Sequence, residues 1–152
     1  MQVAFSRSEC FPYGKAYSMS LSLSNPVNGA EADLESVVDT GFDGSLMVTA
    51  ELYRQLGLEL RERPEELYPV YRTFSGTSVF RRSYGVARLV GKDMEVEVIA
   101  PLHGGGKNLL GRRVLNGFTT VLHRAEAACI GDAQVEGTPG AKRERPAGLG
   151  LR

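Results

Sequence analysis

Residues 36–48 read SVVDTGFDGSLMV, from Ser36 to Val48. Small and apolar residues lead into Asp39-Thr40-Gly41, and an apolar run resumes at Leu46. The approach reads as a buried strand, yet it ends in an acid. Burying a lone carboxylate is costly, so such a group is paired, hydrogen-bonded or protonated. The question is which of these applies, and where a partner comes from.

The rest of the chain narrows the setting. Its 152 residues suit one domain around one core. Eighteen basic and 18 acidic residues leave no net charge, which argues against a general nucleic-acid or anionic-membrane surface. No apolar run approaches a bilayer span. The start, MQVAFSRSECFPYGK, lacks a basic region followed by an apolar core, so no signal peptide is read and a cytoplasmic location is expected. Cys10 and Cys129 form no CxxC and no ligand spacing. They are expected to be structural thiols, a disulfide being the alternative. His103 and His123 are too far apart for a zinc site, and no metal or cofactor is expected.

Strands outnumber helices. Ala16–Ser24 alternates strictly, with Tyr17, Met19, Leu21 and Leu23 on one face and four serines on the other. Turn residues follow at Asn25 to Gly29, and Leu34–Asp39 is the next strand. Thr49–Gly57 reads as a short helix capped by Thr49 and stopped by Gly57. Arg61–Glu66, charged and containing Pro64, reads as a solvated loop. Tyr68–Arg82 reads as a hairpin tipped by Ser75-Gly76, where glycine accommodates positive φ. A second hairpin turns at Gly91-Lys92-Asp93. Gly104-Gly105-Gly106 is a flexible link, Leu109-Leu110 a short strand ending at Gly111, Arg112–Asn116 one helical turn, and Phe118–His123 the last strand. From about Ala125 the composition predicts a flexible tail. The expected division is therefore a domain over 1–124 and a tail over 125–152.

An Asp-Thr-Gly alone is a weak signal, since a strand end explains it. Its surroundings raise it: a preceding apolar strand, Gly44 and Leu46 after it, a glycine-tipped hairpin downstream, and Leu109-Leu110-Gly111 before a short helix. In this order the sequence resembles the retropepsin-like aspartic proteases, in particular their small prokaryotic members. There the motif continues Gly-Phe-x-Gly-x-Leu, here Gly41-Phe42-Asp43-Gly44-Ser45-Leu46. The resemblance covers roughly residues 16–124. It implies an all-β fold with one or two short helices, a closed barrel with a flap hairpin, one lobe per chain. It implies that Asp39 is the catalytic acid, that the Thr40 hydroxyl holds the active-site loop, and that Gly41 lets backbone approach substrate. Phe42, Asp43, Phe74, Ser75, Gly76 and Leu110 become candidate substrate-binding positions. An Asp43–Arg112 ion pair beside the site is implied too, a guanidinium being able to hold a carboxylate through two bonds.

The chemistry agrees with the resemblance. Carboxylate-driven peptide hydrolysis needs two acids around one water. Two close carboxylates cannot both ionise, so they share a proton. The chain holds one Asp-Thr-Gly and no internal repeat, so the partner acid must come from a second copy, placed by a two-fold axis. The expected function is an aspartic endopeptidase acting as a homodimer on peptide or protein substrates, with no nucleic acid or membrane partner. The alternatives are a non-catalytic, retropepsin-like peptide-binding or assembly module, and an unrelated small barrel in which Asp39 caps a turn. Two departures stand out. Phe42 replaces a small residue and would reshape a substrate subsite. Arg72, Arg81 and Arg82 make the hairpin basic, either to favour acidic peptides or as a solvated face. The terminal strands that join retroviral subunits find no clear counterpart.

Overall fold

The alternation at Tyr17 to Ser24 becomes a strand whose odd positions, Met19, Leu21 and Leu23, are buried while Ser20 is exposed. It belongs to a computed structural model that describes residues 2–73 and 76–136. The elements in chain order are β1 (Gln2–Pro12), β2 (Ser18–Ser24), β3 (Glu31–Val38), β4 (Leu46–Met47), α1 (Ala50–Gln55), β5 (Val70–Thr73), β6 (Gly76–Leu89), β7 (Lys92–Pro101), β8 (Leu109–Leu110), α2 (Arg112–Leu115), β9 (Thr119–His123) and β10 (Ala127–Glu136). Short 3-10 turns at Leu58–Arg61 and Glu65–Leu67 join α1 to β5.

Six strands close a barrel in the order β2-β3-β8-β4-β7-β6, sealed by antiparallel pairing of β2 with β6 at Ser22↔Arg88, Leu23↔Ala87 and Ser24↔Val86. The two short strands sit side by side within it. β8 pairs parallel to β3 and antiparallel to β4, and β4 runs parallel to β7. Inside lie Met19, Leu21, Leu23, Leu34, Leu46, Val98 and Leu110, all under a tenth exposed. The mostly β architecture with two short helices matches the expectation. So do the α1 cap, where Leu52 N–H donates to Thr49 Oγ1 at 3.1 Å, and Gly57 at φ 66°.

β5 and the first part of β6 form the expected hairpin, from Val70↔Val79 to Thr73↔Gly76. Gly76 has φ 117°, as its place at the tip required, while Phe74 and Ser75 lie outside the described residues. β6 continues past the hairpin and pairs with β7 from Phe80↔Pro101 to Leu89↔Lys92. One strand therefore serves both hairpins.

Three expectations are corrected. The tail does not begin at 125: β10 lies between β1 and β9 in a second, three-stranded sheet, with Ala128 and Ile130 fully buried. Two buried apolar residues amid polar ones were enough, because the barrel core supplies their neighbours. Residues 137–152 lie outside the described residues. The Phe118–His123 segment is thus not the last strand. Finally, Cys10 and Cys129 stand opposite each other in the β1–β10 register and are joined by a disulfide.

That bond closes a span of 119 residues. Constraining so long a loop in the unfolded chain stabilises the fold by roughly 2–4 kcal/mol. Thiol labelling of the unreduced, unfolded protein is expected to find no free cysteine, and reduction to lower the melting temperature by more than about 5 °C. Full labelling without reductant would contradict the bond. No helix among the described residues is long and apolar enough to cross a membrane.

Candidate active site

Asp39 follows β3 directly, and the barrel's inner threading explains how it is held. Its N–H donates to Leu110 O at 3.0 Å, extending the β3–β8 pairing by one residue. The chain then swings around the end of β8 to reach β4 on its other side. The segment after β8 clamps this loop from beneath. Gly111 N–H donates to Ser45 O (2.9 Å), Arg112 N–H to Phe42 O (2.9 Å) and Arg113 N–H to Gly44 O (3.1 Å). Four backbone bonds thus fix the loop from Asp39 to Ser45, with no side chain needed.

The clamp works only because two residues have no side chain. A Cβ on Gly111 would lie 2.2 Å from Gly44 O and 2.7 Å from Phe42 Cδ2. One on Gly44 would lie 2.6 Å from Phe42 Cζ. The Phe42 ring occupies the slot that these glycines leave. It is 7% exposed and packs with Phe80, Ile99, Met47, Tyr71 and Leu109 in a small core of its own.

On top of the loop, Asp39 is partly exposed and Thr40, Gly41 and Asp43 are exposed. Gly41 N–H donates to Asp39 Oδ1 at 2.9 Å, closing an Asx turn that fixes the carboxylate and leaves its other oxygen available. The acid is therefore hydrogen-bonded but not enclosed within one chain.

Several expected roles do not fit this geometry. Leu110 is 1% exposed in the barrel core, so it packs behind the loop and cannot touch a substrate. Phe42 is buried as well and shapes any subsite only through what rests on it. Asp43 and Arg112 form no ion pair among the described residues, although Arg112 N–H reaches Phe42 O. Both side chains point to solvent, where a bridge contributes little. The Thr40 hydroxyl likewise makes no hydrogen bond within the chain among the described residues. Gly76 stands in the hairpin beyond Tyr71, and Phe74 and Ser75 are not described.

Sequence reasoning missed the residue that links hairpin to loop. The Tyr71 ring meets Phe42 edge-on at 6.2 Å between centroids and Phe80 at 5.3 Å. Burial raises the Tyr71 pKa, and the negative charges of Asp43 and Glu97 add to this. The hairpin therefore rests on the Asp39 loop through an aromatic stack. Tyr71 lies between Val70 and Arg72 in β5, and nothing in the sequence names Phe42 as its contact.

A second missed feature anchors the hairpin's base. Glu62, in the stretch expected to be solvated, accepts from Tyr53 Oη at 2.7 Å, from Arg81 Nε at 2.7 Å, and from Tyr68 Oη. The arginines expected to face substrate or solvent are thus engaged. Arg81 pairs with Glu62 and Arg82 with Glu97, while Arg72 alone is exposed. Burial by itself would raise the Glu62 pKa, but hydrogen bonds from Tyr68, Arg81 and Tyr53 outweigh it and hold it below the usual glutamate value. Burial, then the bond to Glu62, pushes Tyr53 well above the ordinary tyrosine range.

The charged Glu62 is the form favoured by folding. Its contribution is complete above the ordinary glutamate pKa and is lost as pH falls through the lowered one. Glu62→Gln is expected to cost about 2 kcal/mol at neutral pH, by leaving a paired guanidinium and two hydroxyls short of an acceptor. In urea unfolding, the gap between the two proteins should narrow below about pH 4. A gap independent of pH would contradict the assigned charge.

No protein-family model and no curated protein matches the sequence. Solved structures do match the fold. A retropepsin-like aspartic protease from Rickettsia conorii superposes with a TM-score of 0.56 at 15% identity, covering 87% of this chain and 93% of that one. The EIAV protease complexed with the inhibitor HBY-793 covers 67% of this chain and 86% of its own, at 17% identity and a TM-score of 0.47. The chain has a retropepsin-like fold: a closed six-stranded barrel with the Asp-Thr-Gly loop at its inner crossing.

Proposed function

We propose that this chain is an aspartic endopeptidase whose active site is completed by a second copy of itself. One observation supports the reading above the others. A loop locked by four backbone bonds displays a single Asp39 carboxylate, one oxygen held by Gly41 and the other open, in a fold shared with retropepsin-like aspartic proteases. So rigid a mount for one partly exposed acid suits a group that must meet another at short range.

In the proposed dimer the two Asp39 side chains face each other across the two-fold axis. One, ionised, takes a proton from a water held between them. The water oxygen attacks the peptide carbonyl carbon while the other, protonated, carboxyl donates its proton to the carbonyl oxygen. The tetrahedral intermediate then collapses. Its C–N bond breaks as the nitrogen takes up the proton that the first carboxyl received from the water, one hydroxyl returns its proton to the second carboxylate, and a carboxylic acid and an amine leave. Thr40, exposed beside Asp39 and without a side-chain hydrogen bond among the described residues, supports the loop in this reading by bonding across the same axis. The β5–β6 hairpin acts as the flap, and its seat on Phe42 through Tyr71 couples its position to the Asp39 loop. The proposed chemistry calls for no metal or cofactor. An intact Cys10–Cys129 bond suits an oxidising compartment rather than the cytoplasm.

Titration with a peptide analogue carrying a secondary alcohol in place of the scissile bond tests the reading. The expected stoichiometry is one analogue per two chains, with cleavage of a mixed peptide library blocked in parallel. Binding of one peptide per chain without cleavage would support a non-catalytic module instead.

A further inference from the structure

β1 adds 11 residues to the edge of the three-stranded sheet, yet it brings little to the core. Of its described side chains, Arg7 to Pro12, five are exposed, and only Phe11, half-buried, packs against the core. Its neighbour β10 seats Ala128 and Ile130 fully inside. Apolar burial therefore holds β10 in place. β1 depends instead on its backbone ladder and on one covalent tie, the Cys10–Cys129 bond.

That tie faces solvent. Cys10 is exposed and Cys129 half-buried, and Val121, across from Cys129 on β9, is itself exposed. A thiol can therefore reach the bond in the folded chain. The two strands that it joins converge on one tyrosine behind the Asp39 loop. On the β1 side the chain passes Phe11 and Pro12 to Tyr13, whose ring meets Tyr17 edge-on at 4.8 Å between centroids. On the β10 side Glu126 O accepts from Tyr13 N–H at 2.9 Å, and Ala125 N–H donates to Tyr17 Oη at 2.7 Å. Tyr17 O in turn accepts from Val38 N–H at 2.8 Å, one residue before Asp39.

We propose that the Cys10–Cys129 bond is a redox switch. While it is intact, β1 is fixed and Tyr17 supports the Asp39 loop. Once it is reduced, β1 detaches from β10 and that support is lost. The reductant is a dithiol. One of its thiolates attacks the exposed Cys10 sulfur, the S–S bond breaks, and Cys129 leaves as a thiolate that takes up a proton. The second thiol, as thiolate, then attacks the reductant's own sulfur in the mixed disulfide and releases Cys10, which is protonated in turn. Two electrons and two protons pass to the chain, and the reductant ends as a disulfide. The barrel survives the change, because its own strands supply most of the core. Re-pairing of the ladder sets Cys10 opposite Cys129 again, so the change is reversible. The switch rests on the endopeptidase reading only for its effect on cleavage.

Amide exchange of the full, unsubstituted chain, before and after dithiothreitol and without denaturant, tests the proposal. Both cysteines are expected to become open to alkylation in the folded chain. The β1 amides and the Val38 amide are expected to exchange about tenfold faster or more in the reduced form, while those of β7 keep their rates. Peptide cleavage should fall with them and return on reoxidation. A bond that dithiothreitol breaks only in unfolded protein overturns the switch. So do β1 and Val38 amides with one rate in both forms, β7 amides that speed up equally, or cleavage that ignores reduction. With Cys10→Ser and Cys129→Ser together, dithiothreitol should change none of these rates, and a response there would overturn the assignment to this bond. Absence of cleavage by the oxidised chain overturns the endopeptidase reading alone, and the exchange rates still decide the switch.

Discussion

Asp39→Asn is expected to lower peptide hydrolysis by at least about a thousandfold, while the protein keeps its fold and its mass in solution. The amide matches the acid in shape, and its oxygen can keep the 2.9 Å bond from Gly41 N–H, so the Asx turn survives. Asp39 is partly exposed and makes no ion pair among the described residues, so stability should change by less than about 1 kcal/mol. What is lost is the ability to take a proton from water. Because the proposed site is shared, the variant should also act on the unsubstituted protein. Added in excess and allowed to exchange subunits, it should silence the active chain by forming mixed dimers that lack one carboxylate. Activity per active chain that stays constant under such mixing would show that one chain suffices.

Gly111→Ala should have the largest effect on stability, about 3 kcal/mol or more. The added methyl would meet Gly44 O at 2.2 Å and Gly44 C at 2.9 Å, both backbone atoms of a loop held by Gly111, Arg112 and Arg113. A flexible side chain could turn aside, whereas this backbone moves only by giving up its bonds to the segment after β8. Activity should fall along with stability, since the same bonds position Asp39. Gly14→Ala is the control, for a Cβ there meets nothing within 4 Å. Urea denaturation of both variants reads the difference. Equal stability of the two would mean that the clamp does not hold the loop as described.

What could be read in the sequence was local. The β2 alternation, the Thr49 cap, the Gly76 tip and the short strand at Leu109-Leu110 each follow from a few neighbouring residues, and each is found. The motif itself was legible through the order of its neighbours and the resemblance they carry, but not that Gly44 and Gly111 meet around Phe42, with 67 positions between them in the chain. What could not be read depended on distant partners. β10 looked like a tail because its composition is small and polar, and its two buried residues, Ala128 and Ile130, find their partners in the barrel core, far away in sequence. Glu62 looked solvated beside Pro64, since nothing local indicates that Tyr53, Tyr68 and Arg81 converge on it. The disulfide stands in the sequence only as an alternative for the same reason: two cysteines 119 apart carry no spacing signal until the register sets them opposite. The Asp43–Arg112 pair failed in the opposite direction. The two segments do meet, through Arg112 N–H and Phe42 O, but at the backbone.

The central claim is that one chain supplies half of a catalytic pair. The distance between the two Asp39 carboxylates in a crystal structure of the assembled protein tests it most directly. The account predicts oxygens about 3 Å apart across a two-fold axis, with a single water touching both. Carboxylates separated by more than roughly 7 Å, too far for one water to bridge, would contradict it.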